Sequence, residues 1–206
     1  MKTVFWDFDG VILDSMKVRD WGFREIFKKY PESEVELLIQ YHRKNGGLSR
    51  YVKIKYFYDK ILNKPITNDQ IQEYANNFSI LMKEKLIDPS NLIQDSLDFI
   101  KVEHNNYQFH IVSGSDQEEL RYLCKELKIN SFFISIHGSP TPKKQLVRNL
   151  LKEYSYQTEE TCLIGDSIND YEAAIENKIS FFGYNNRLLK DYGPYISNFK
   201  HFKSRF

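Results

Sequence analysis

Along the chain, the pattern of apolar and polar residues changes from strand-like to helical and then to an alternation of the two. The first apolar run, TVFWDF at residues 3–8, is short, rich in β-branched and aromatic residues and followed by Gly10, which predicts a buried strand. The next four segments repeat apolar residues at helical spacing, at residues 17–30, 32–44, 49–62 and 67–86. No strand pattern separates them, so we expect residues 15–87 to form a small helical domain.

From residue 88 onward, strand patterns alternate with helix patterns. The strand patterns lie at residues 107–114, 132–138, 161–166 and 179–184, and the helix patterns lie at residues 92–104, 116–127, 142–154 and 168–177. Strands that alternate with helices are typical of a parallel sheet covered on both faces. The predicted fold class is therefore α/β, with a doubly wound parallel sheet built from residues 1–14 and 88–206 and an all-helical domain inserted at residues 15–87.

Composition narrows the class of protein only slightly. Apolar residues make up 41% of the 206 residues, which suits a globular core. The 29 basic and 28 acidic residues leave a net charge of +1, which gives no argument for binding to nucleic acid or to an anionic membrane. Cys124 and Cys162 lack the spacing of metal ligands and are interpreted as buried small side chains. No apolar run approaches the ~20 residues of a membrane span, so we expect a reduced, cytoplasmic protein. Composition favours neither a monomer nor a homodimer.

Polar side chains that suit a cation and a phosphate stand at the ends of four predicted strands. They are Asp7 and Asp9, Ser113 with Gly114, Lys143 or Lys144, and Asp166 with Asp170. The carboxyl ends of parallel strands meet at one edge of a sheet, where ligands bind. Carboxylates suit Mg²⁺, while a hydroxyl, backbone N–H groups and an ammonium bind phosphate oxygens. Each residue alone is more often a helix cap, a turn residue or a solvated side chain, but the combination predicts a site for Mg²⁺ and phosphate.

The segments that carry these residues resemble the motifs of the haloacid dehalogenase-like (HAD) hydrolase superfamily. DFDGVILDS resembles the first motif, FHIVSG the second, GSPTPKKQL the third and LIGDSINDYEAA the fourth, in the family's order. The helical insertion after the first motif is similar to the family's cap domain. The resemblance implies a Rossmann-like core, a Mg²⁺ cofactor and a small phosphorylated metabolite as substrate.

The resemblance also implies a role for each residue at the strand ends. Asp7 would be the nucleophile that forms an aspartyl-phosphate, and Asp9 the general acid and base. Ser113 and the N–H of Gly114 would bind the phosphoryl oxygens, and Lys143 would neutralise their charge. Lys143 is preferred because it lies three residues after Pro140, although Lys144 stays an alternative. The implied ligands of Mg²⁺ are Asp7, Asp9, Asp166 and Asp170.

In having an acid at the position of Asp9, the first motif resembles that of the phosphatase and phosphomutase branches of the superfamily. The leading hypothesis is a Mg²⁺-dependent phosphatase acting on a small phosphorylated metabolite such as a sugar phosphate. The first alternative is a phosphomutase similar to β-phosphoglucomutase. The second is a phosphate-binding or regulatory protein that has kept the HAD scaffold. A phosphonatase would need a Schiff-base lysine in the cap, which the sequence does not assign.

The stretch HRKNGGLSRYVKIKY at residues 42–56 is the most unusual part of the helical insertion. Gly46 and Gly47 interrupt the helical pattern there, and a loop at this place could face the sheet. Arg43, Arg50 and Lys53 are then placed to reach an anionic substrate, and Arg50 is the first choice because a planar guanidinium recognises carboxylates and phosphates well. The alternative is an ordinary turn between helices with solvated basic residues.

Overall fold

The centre of the molecule is a parallel sheet of six strands. The computed structural model describes residues 2–200 and 202. Its strands are β1 (Thr3–Trp6), β2 (Gln108–Asp116), β3 (Ser135–Ser139), β4 (Thr161–Gly165), β5 (Ser180–Tyr184) and β6 (Tyr195–Ile196), in the spatial order β3-β2-β1-β4-β5-β6. All neighbouring strands pair in parallel, so the predicted doubly wound α/β fold is confirmed. The two-residue strand β6 was not predicted, because two residues are too few to show a period.

Helices that follow the strands along the chain pack on the sheet. They are α5 (Gln94–Glu103), α6 (Gln117–Glu126), α7 (Lys143–Glu153) and α8 (Ile168–Glu176). Successive residues of β1 point to opposite faces, so Val4 and Trp6 belong to one apolar cluster and Phe5 to the other. Short 3₁₀ turns lie at Pro89–Asn91, Asn130–Phe132, Thr158–Glu160 and Arg187–Asp191. The chain order reverses on the two sides of β1, which places the crevice of the sheet at the carboxyl end of β1.

Every regular element between β1 and α5 is a helix. These helices are α1 (Met16–Ile26), α2 (Glu32–Lys44), α3 (Arg50–Tyr56), which continues as a π-helical segment at Phe57–Leu62, and α4 (Asn68–Lys85). Thr67 begins α4 with a capping box, in which its hydroxyl accepts from the Gln70 backbone N–H and the Gln70 side chain accepts from the Thr67 N–H. Phe23 packs on Phe78 with ring centroids 4.5 Å apart. We infer that residues 15–87 form one unit, called the cap below, and that the rest is the core.

Two expectations from composition, on the cysteines and on membrane spans, can be compared with the structure. Cys124 and Cys162 are buried free thiols, as predicted. Among residues 2–200 and 202, no helix is long and apolar enough to cross a membrane.

The buried histidine His110 in β2 predicts an acid-sensitive fold. Its ring nitrogens lie 2.7 Å from Ser135 Oγ and 2.8 Å from Tyr156 Oη. Burial, with a smaller contribution from His137, lowers the pKa of His110 to about 4. Between pH 6.5 and pH 4 this histidine binds a proton in the unfolded chain but not in the folded chain. The free energy of unfolding is therefore expected to fall as the pH drops from 6.5 to 4. The loss from this residue should be about 2 kcal/mol between pH 7 and pH 5.

Chemical denaturation at the two pH values measures this effect. The His110→Gln variant should be less stable at pH 7 but should lose about 2 kcal/mol less than the wild type on acidification. His104→Gln, on the partly exposed end of α5, is the matched control. An acid loss that is equal in the wild type and in His110→Gln would exclude His110 as the cause.

Candidate active site

Asp7 lies immediately after β1, at the crevice of the sheet. Its backbone N–H continues the pairing with β4 by donating to the Ile164 carbonyl at 2.9 Å. The residue is 3% exposed, and its Oδ1 accepts a hydrogen bond from the Phe8 N–H at 2.8 Å. The Lys143 ammonium lies 2.7 Å from the same oxygen. The strand therefore carries a buried carboxylate into a position where a cation already faces it.

Asp7, Asp166 and Asp170 form a cluster of acids at the ends of β1 and β4. One carboxylate oxygen from each lies within 4.8 Å of the other two. Burial raises the pKa of Asp7 to about 7, the charge of Asp170 adds to this effect, and Lys143 opposes it. Burial and the charge of Asp7 raise the pKa of Asp166 well above its ordinary value. Three close oxygen ligands that repel one another fit a divalent cation such as Mg²⁺.

Gly10 permits the close approach of Asp166 to the first motif. Its φ of +76° is in the left-handed region, and a Cβ at this position would meet the Asp166 carboxylate. Both the backbone conformation and the space therefore require glycine here. Gly10 is therefore needed both for the turn that follows Asp9 and for the position of Asp166 in the acid cluster.

The structure places Lys143, and not Lys144, in the cluster. Lys143 is the first residue of α7, is buried, and contacts both Asp7 and Asp170. Lys144 points away and pairs with Glu176 at 3.1 Å on the surface. Two carboxylates raise the pKa of Lys143 against the effect of burial, so its charge is secure.

Ser167 holds Asp170 in place and was not among the predicted residues. Its backbone N–H and its hydroxyl donate to Asp170 Oδ2 at 3.0 and 2.7 Å. Asp170 in turn completes a capping box at the start of α8. The Ser-x-x-Asp pattern around the fourth motif is the sequence feature from which this contact was predictable.

Ser113 and Gly114 lie near the carboxyl end of β2, beside β1. Ser113 is buried, and its hydroxyl accepts a hydrogen bond from the Ser115 N–H at 3.1 Å. A Cβ on Gly114 would meet the carbonyl of Gly47 in the cap. The predicted phosphate-binding pair therefore lies directly under the cap, and its role stays a prediction.

The Asp9 carboxylate is engaged by the protein and lies outside the acid cluster. Its Oδ1 accepts from the Ser15 hydroxyl and from Arg19 Nε, the latter at 2.7 Å, and its Oδ2 accepts from the Ser115 hydroxyl. Burial favours a raised pKa for Asp9, but the charge and hydrogen bond of Arg19 and the two hydroxyl donors lower it below its ordinary value. The placement of this side chain thus gives no support to the prediction that the Asp9 carboxylate is a ligand of the metal.

Arg50 is buried between cap and core. It begins α3, lies 2.6 Å from Glu119 Oε2 of the core and stacks on Phe78, with the guanidinium carbon 4.7 Å from the ring centroid. Glu119 Oε1 also accepts from Arg19 at 3.1 Å, so one carboxylate joins two cap arginines. Arg43 lies elsewhere, paired with Asp20 at 2.7 Å. Sequence reasoning missed Arg19 and Glu119, because nothing in their local patterns distinguishes them from surface charges.

The glycine loop between α2 and α3 lies against the core. A Cβ on Gly47 would stand 2.8 Å from Ser167 Oγ and 2.9 Å from Asn169 Cβ. A cleft of about 500 Å³ runs beside this loop, with Gly114 and Lys143 in its wall. Behind the loop, a cavity of about 20 Å³ between cap and core has room for little more than one water molecule. The cap therefore packs closely over the space beside Asp9, and movement of the cap would enlarge that space for part of a substrate.

A parallel sheet with a lysine and three acids at its crevice, covered by a helical unit, could hold a divalent cation and a phosphate-like anion. The family model described as haloacid dehalogenase-like hydrolase matches residues 4–184, so this chain belongs to that family. The resemblance seen in the four motifs is thereby confirmed. Among curated proteins, no match to the chain is found.

Solved structures show the same fold at low sequence identity. A predicted phosphatase from Clostridium acetobutylicum is 14% identical, with a TM-score of 0.78 over 99% of this chain and 97% of that one. β-Phosphoglucomutase from Clostridium difficile is 15% identical, with a TM-score of 0.77 over 100% and 96% of the two chains. A magnesium-bound structure of YfnB from Bacillus subtilis is 15% identical, with a TM-score of 0.72 over 99% and 97%. At these identities the similarity establishes the fold.

Proposed function

We propose that this HAD-like hydrolase is a Mg²⁺-dependent phosphatase that cleaves small phosphomonoesters through an aspartyl-phosphate at Asp7. The observation that carries the proposal is the contact of the Lys143 ammonium with both Asp7 and Asp170, beside the acid cluster. A carboxylate can approach a phosphate dianion only where positive charge offsets the repulsion. Asp7, Asp166 and Asp170 would hold Mg²⁺, which when bound supplies further positive charge at the phosphoryl oxygens.

Two displacements at phosphorus make up the proposed reaction. In the first, an oxygen of Asp7 bonds to phosphorus while the ester oxygen leaves and takes a proton from Asp9. In the second, Asp9 removes a proton from water, the water oxygen bonds to phosphorus, and the Asp7 carboxylate is released. Lys143 stabilises the charge on the phosphoryl oxygens throughout, and Ser113 with the N–H of Gly114 binds them.

The role of Asp9 requires an exchange of hydrogen bonds. In this structure its oxygens accept from Ser15, Arg19 and Ser115. One oxygen must therefore turn from a protein hydroxyl to the ester oxygen or to water. The carboxylate must also take up a proton, after release of the Arg19 contact that lowers its pKa, before it can protonate the leaving oxygen. Movement of the cap would break the Arg19 contact and leave the Ser115 contact in place, because Arg19 belongs to α1 of the cap and Ser115 belongs to β2 of the core.

Hydrolysis of 4-nitrophenyl phosphate tests the proposed function. Purified protein is expected to release phosphate slowly in the presence of Mg²⁺ and to lose at least about 100-fold of this rate with EDTA, because the three clustered acids then repel the substrate. Added Mg²⁺ should restore the rate. Full activity in EDTA would contradict a metal-dependent reaction, and inactivity towards a wide set of phosphomonoesters would contradict a phosphatase. Conversion of a hexose 1-phosphate to its 6-phosphate without release of phosphate would instead assign the mutase reaction.

A further inference from the structure

Lys53 is a buried cation of the cap without a carboxylate partner. It lies in α3, is 3% exposed, and donates a hydrogen bond to the Gly46 carbonyl at 3.0 Å. An ammonium has three protons to donate. Within residues 2–200 and 202, no carboxylate lies within ion-pair distance of the Lys53 ammonium. A buried charge left in this condition is costly for the fold and suggests a partner that is not part of the chain.

Positive charge exceeds negative charge around the small cavity between cap and core. Arg19, Arg50 and Lys53 line the cavity on the cap side, and Asp9 lines it on the core side. Glu119 lies behind the two arginines, at 3.1 Å from Arg19 and 2.6 Å from Arg50. Three cations thus face two carboxylates, and both carboxylates are already used by the arginines. The surplus cation is Lys53.

The environment of Lys53 favours an anion at this place. Burial and the neighbouring guanidiniums of Arg19 and Arg50 lower the pKa of Lys53 to about 7, while Asp9 and Asp7 act in the opposite direction. An anion beside the ammonium would restore its full charge. His42, which also lines the cavity, contributes no charge there, because burial and the cations Lys53, Arg19 and Arg43 lower its pKa well below the ordinary value and keep its imidazole neutral.

The cavity lies where the leaving group of a bound phosphomonoester would lie. Gly114 and Ser115 form its core-side wall together with Asp9, the residue that would protonate the leaving oxygen. The cavity, about 20 Å³ in volume, holds little more than one water molecule, so the cap must move to admit any leaving group, and a leaving group of a few carbon atoms requires the least movement.

We propose that Lys53 is a specificity-determining residue that binds an anionic group on the leaving group, so that the preferred substrates are small phosphomonoesters bearing a carboxylate or a second phosphate. This inference rests on the proposed phosphatase function. Because an ion pair to a buried lysine is lost when the substrate lacks the anion, discrimination between esters of the same carbon chain with and without the second anionic group is expected to be large.

Matched substrates test the inference in the wild-type protein. The pairs are 2-phosphoglycolate against ethyl phosphate, for a carboxylate, and propane-1,3-diol bisphosphate against propyl phosphate, for a second phosphate. In at least one pair, kcat/KM for the anionic member is expected to be about 100-fold higher. Cleavage of all four esters at similar kcat/KM would overturn the inference and leave the phosphatase function standing. Cleavage of none of them, nor of 4-nitrophenyl phosphate, would instead be a failure of the proposed function.

The variant Lys53→Met separates recognition from a structural role. It should lose most of the preference for the anionic ester while kcat/KM for the uncharged ester changes by less than about 3-fold, because methionine keeps the length of the stem. Lys55→Met is the matched control, since Lys55 lies on the same helix and pairs at the surface with Asp59 at 2.8 Å. An equal loss on both members of a pair would show that Lys53 only holds the Gly46 loop, and would overturn the inference. Should Lys53→Met fail to fold, Lys53→Gln and the wild-type comparison carry the same test.

Discussion

The variant Asp7→Asn is expected to hydrolyse no phosphomonoester at a measurable rate, with a loss of at least about 10⁴-fold in kcat, because an amide oxygen is a poor nucleophile at phosphorus. The fold should survive the change. Asp7 is one of three mutually repelling acids, and its removal leaves Lys143 paired with Asp170. Thermal unfolding is therefore expected at an equal or higher temperature, which distinguishes lost chemistry from lost structure. Near-normal turnover by this variant would remove Asp7 from the role of nucleophile.

The second large effect is expected from Asp9→Asn, and it should depend on the leaving group. Without a general base to activate water, hydrolysis of the aspartyl-phosphate should slow by about 10²–10⁴-fold. 4-Nitrophenolate leaves without a proton, so 4-nitrophenyl phosphate should give a burst of about one equivalent of nitrophenol per enzyme, followed by slow turnover. Ethyl phosphate needs a protonated leaving group and should give no burst.

A neighbouring acid of the same motif provides the control for Asp9→Asn. Asp14 is exposed, and its backbone N–H donates to the Asn91 carbonyl at 2.8 Å, outside the acid cluster. Asp14→Asn is expected to change kcat/KM by less than about 2-fold, as is usual for surface positions away from the site. Slow turnover of the aryl ester by Asp9→Asn without any burst would contradict the role of Asp9 in the second displacement.

Much of the core was predictable because its pattern is local. The apolar strand before Asp7, the helix after Lys143 and the strand before Asp166 each show a clear period, and the strands are parallel as expected. Parallel strands bring their carboxyl ends to one edge, so the meeting of Asp7 and Asp166 with a lysine at the start of α7 followed from the topology. The choice between Lys143 and Lys144 did not follow, because it depends on which side of α7 faces the sheet.

The contacts between cap and core were not predictable from local pattern. Arg19 and Glu119 are 100 positions apart and meet only because the fold brings one residue of α1 beside one residue of α6. Arg50 was expected to reach the substrate from beside the Gly46-Gly47 loop, but it is held by Glu119. Lys53 was one of three basic residues expected near the substrate, and its burial without a carboxylate partner in the described part of the chain distinguishes it from Arg43 and Arg50. The roles of such residues depend on which residues they contact in the folded protein, and neither sequence spacing nor composition predicts those contacts.

Acid-quenched peptide mapping of the Asp9→Asn variant tests the central claim most directly. The variant is mixed with 4-nitrophenyl phosphate labelled in the phosphoryl group, quenched in acid at the end of the burst and digested. We expect about one equivalent of label per protein on the peptide that carries Asp7, and the loss of this label when the acyl phosphate is treated with hydroxylamine. Label on Ser113 or on any other residue, or a burst of nitrophenol with no label on the protein, would contradict the account.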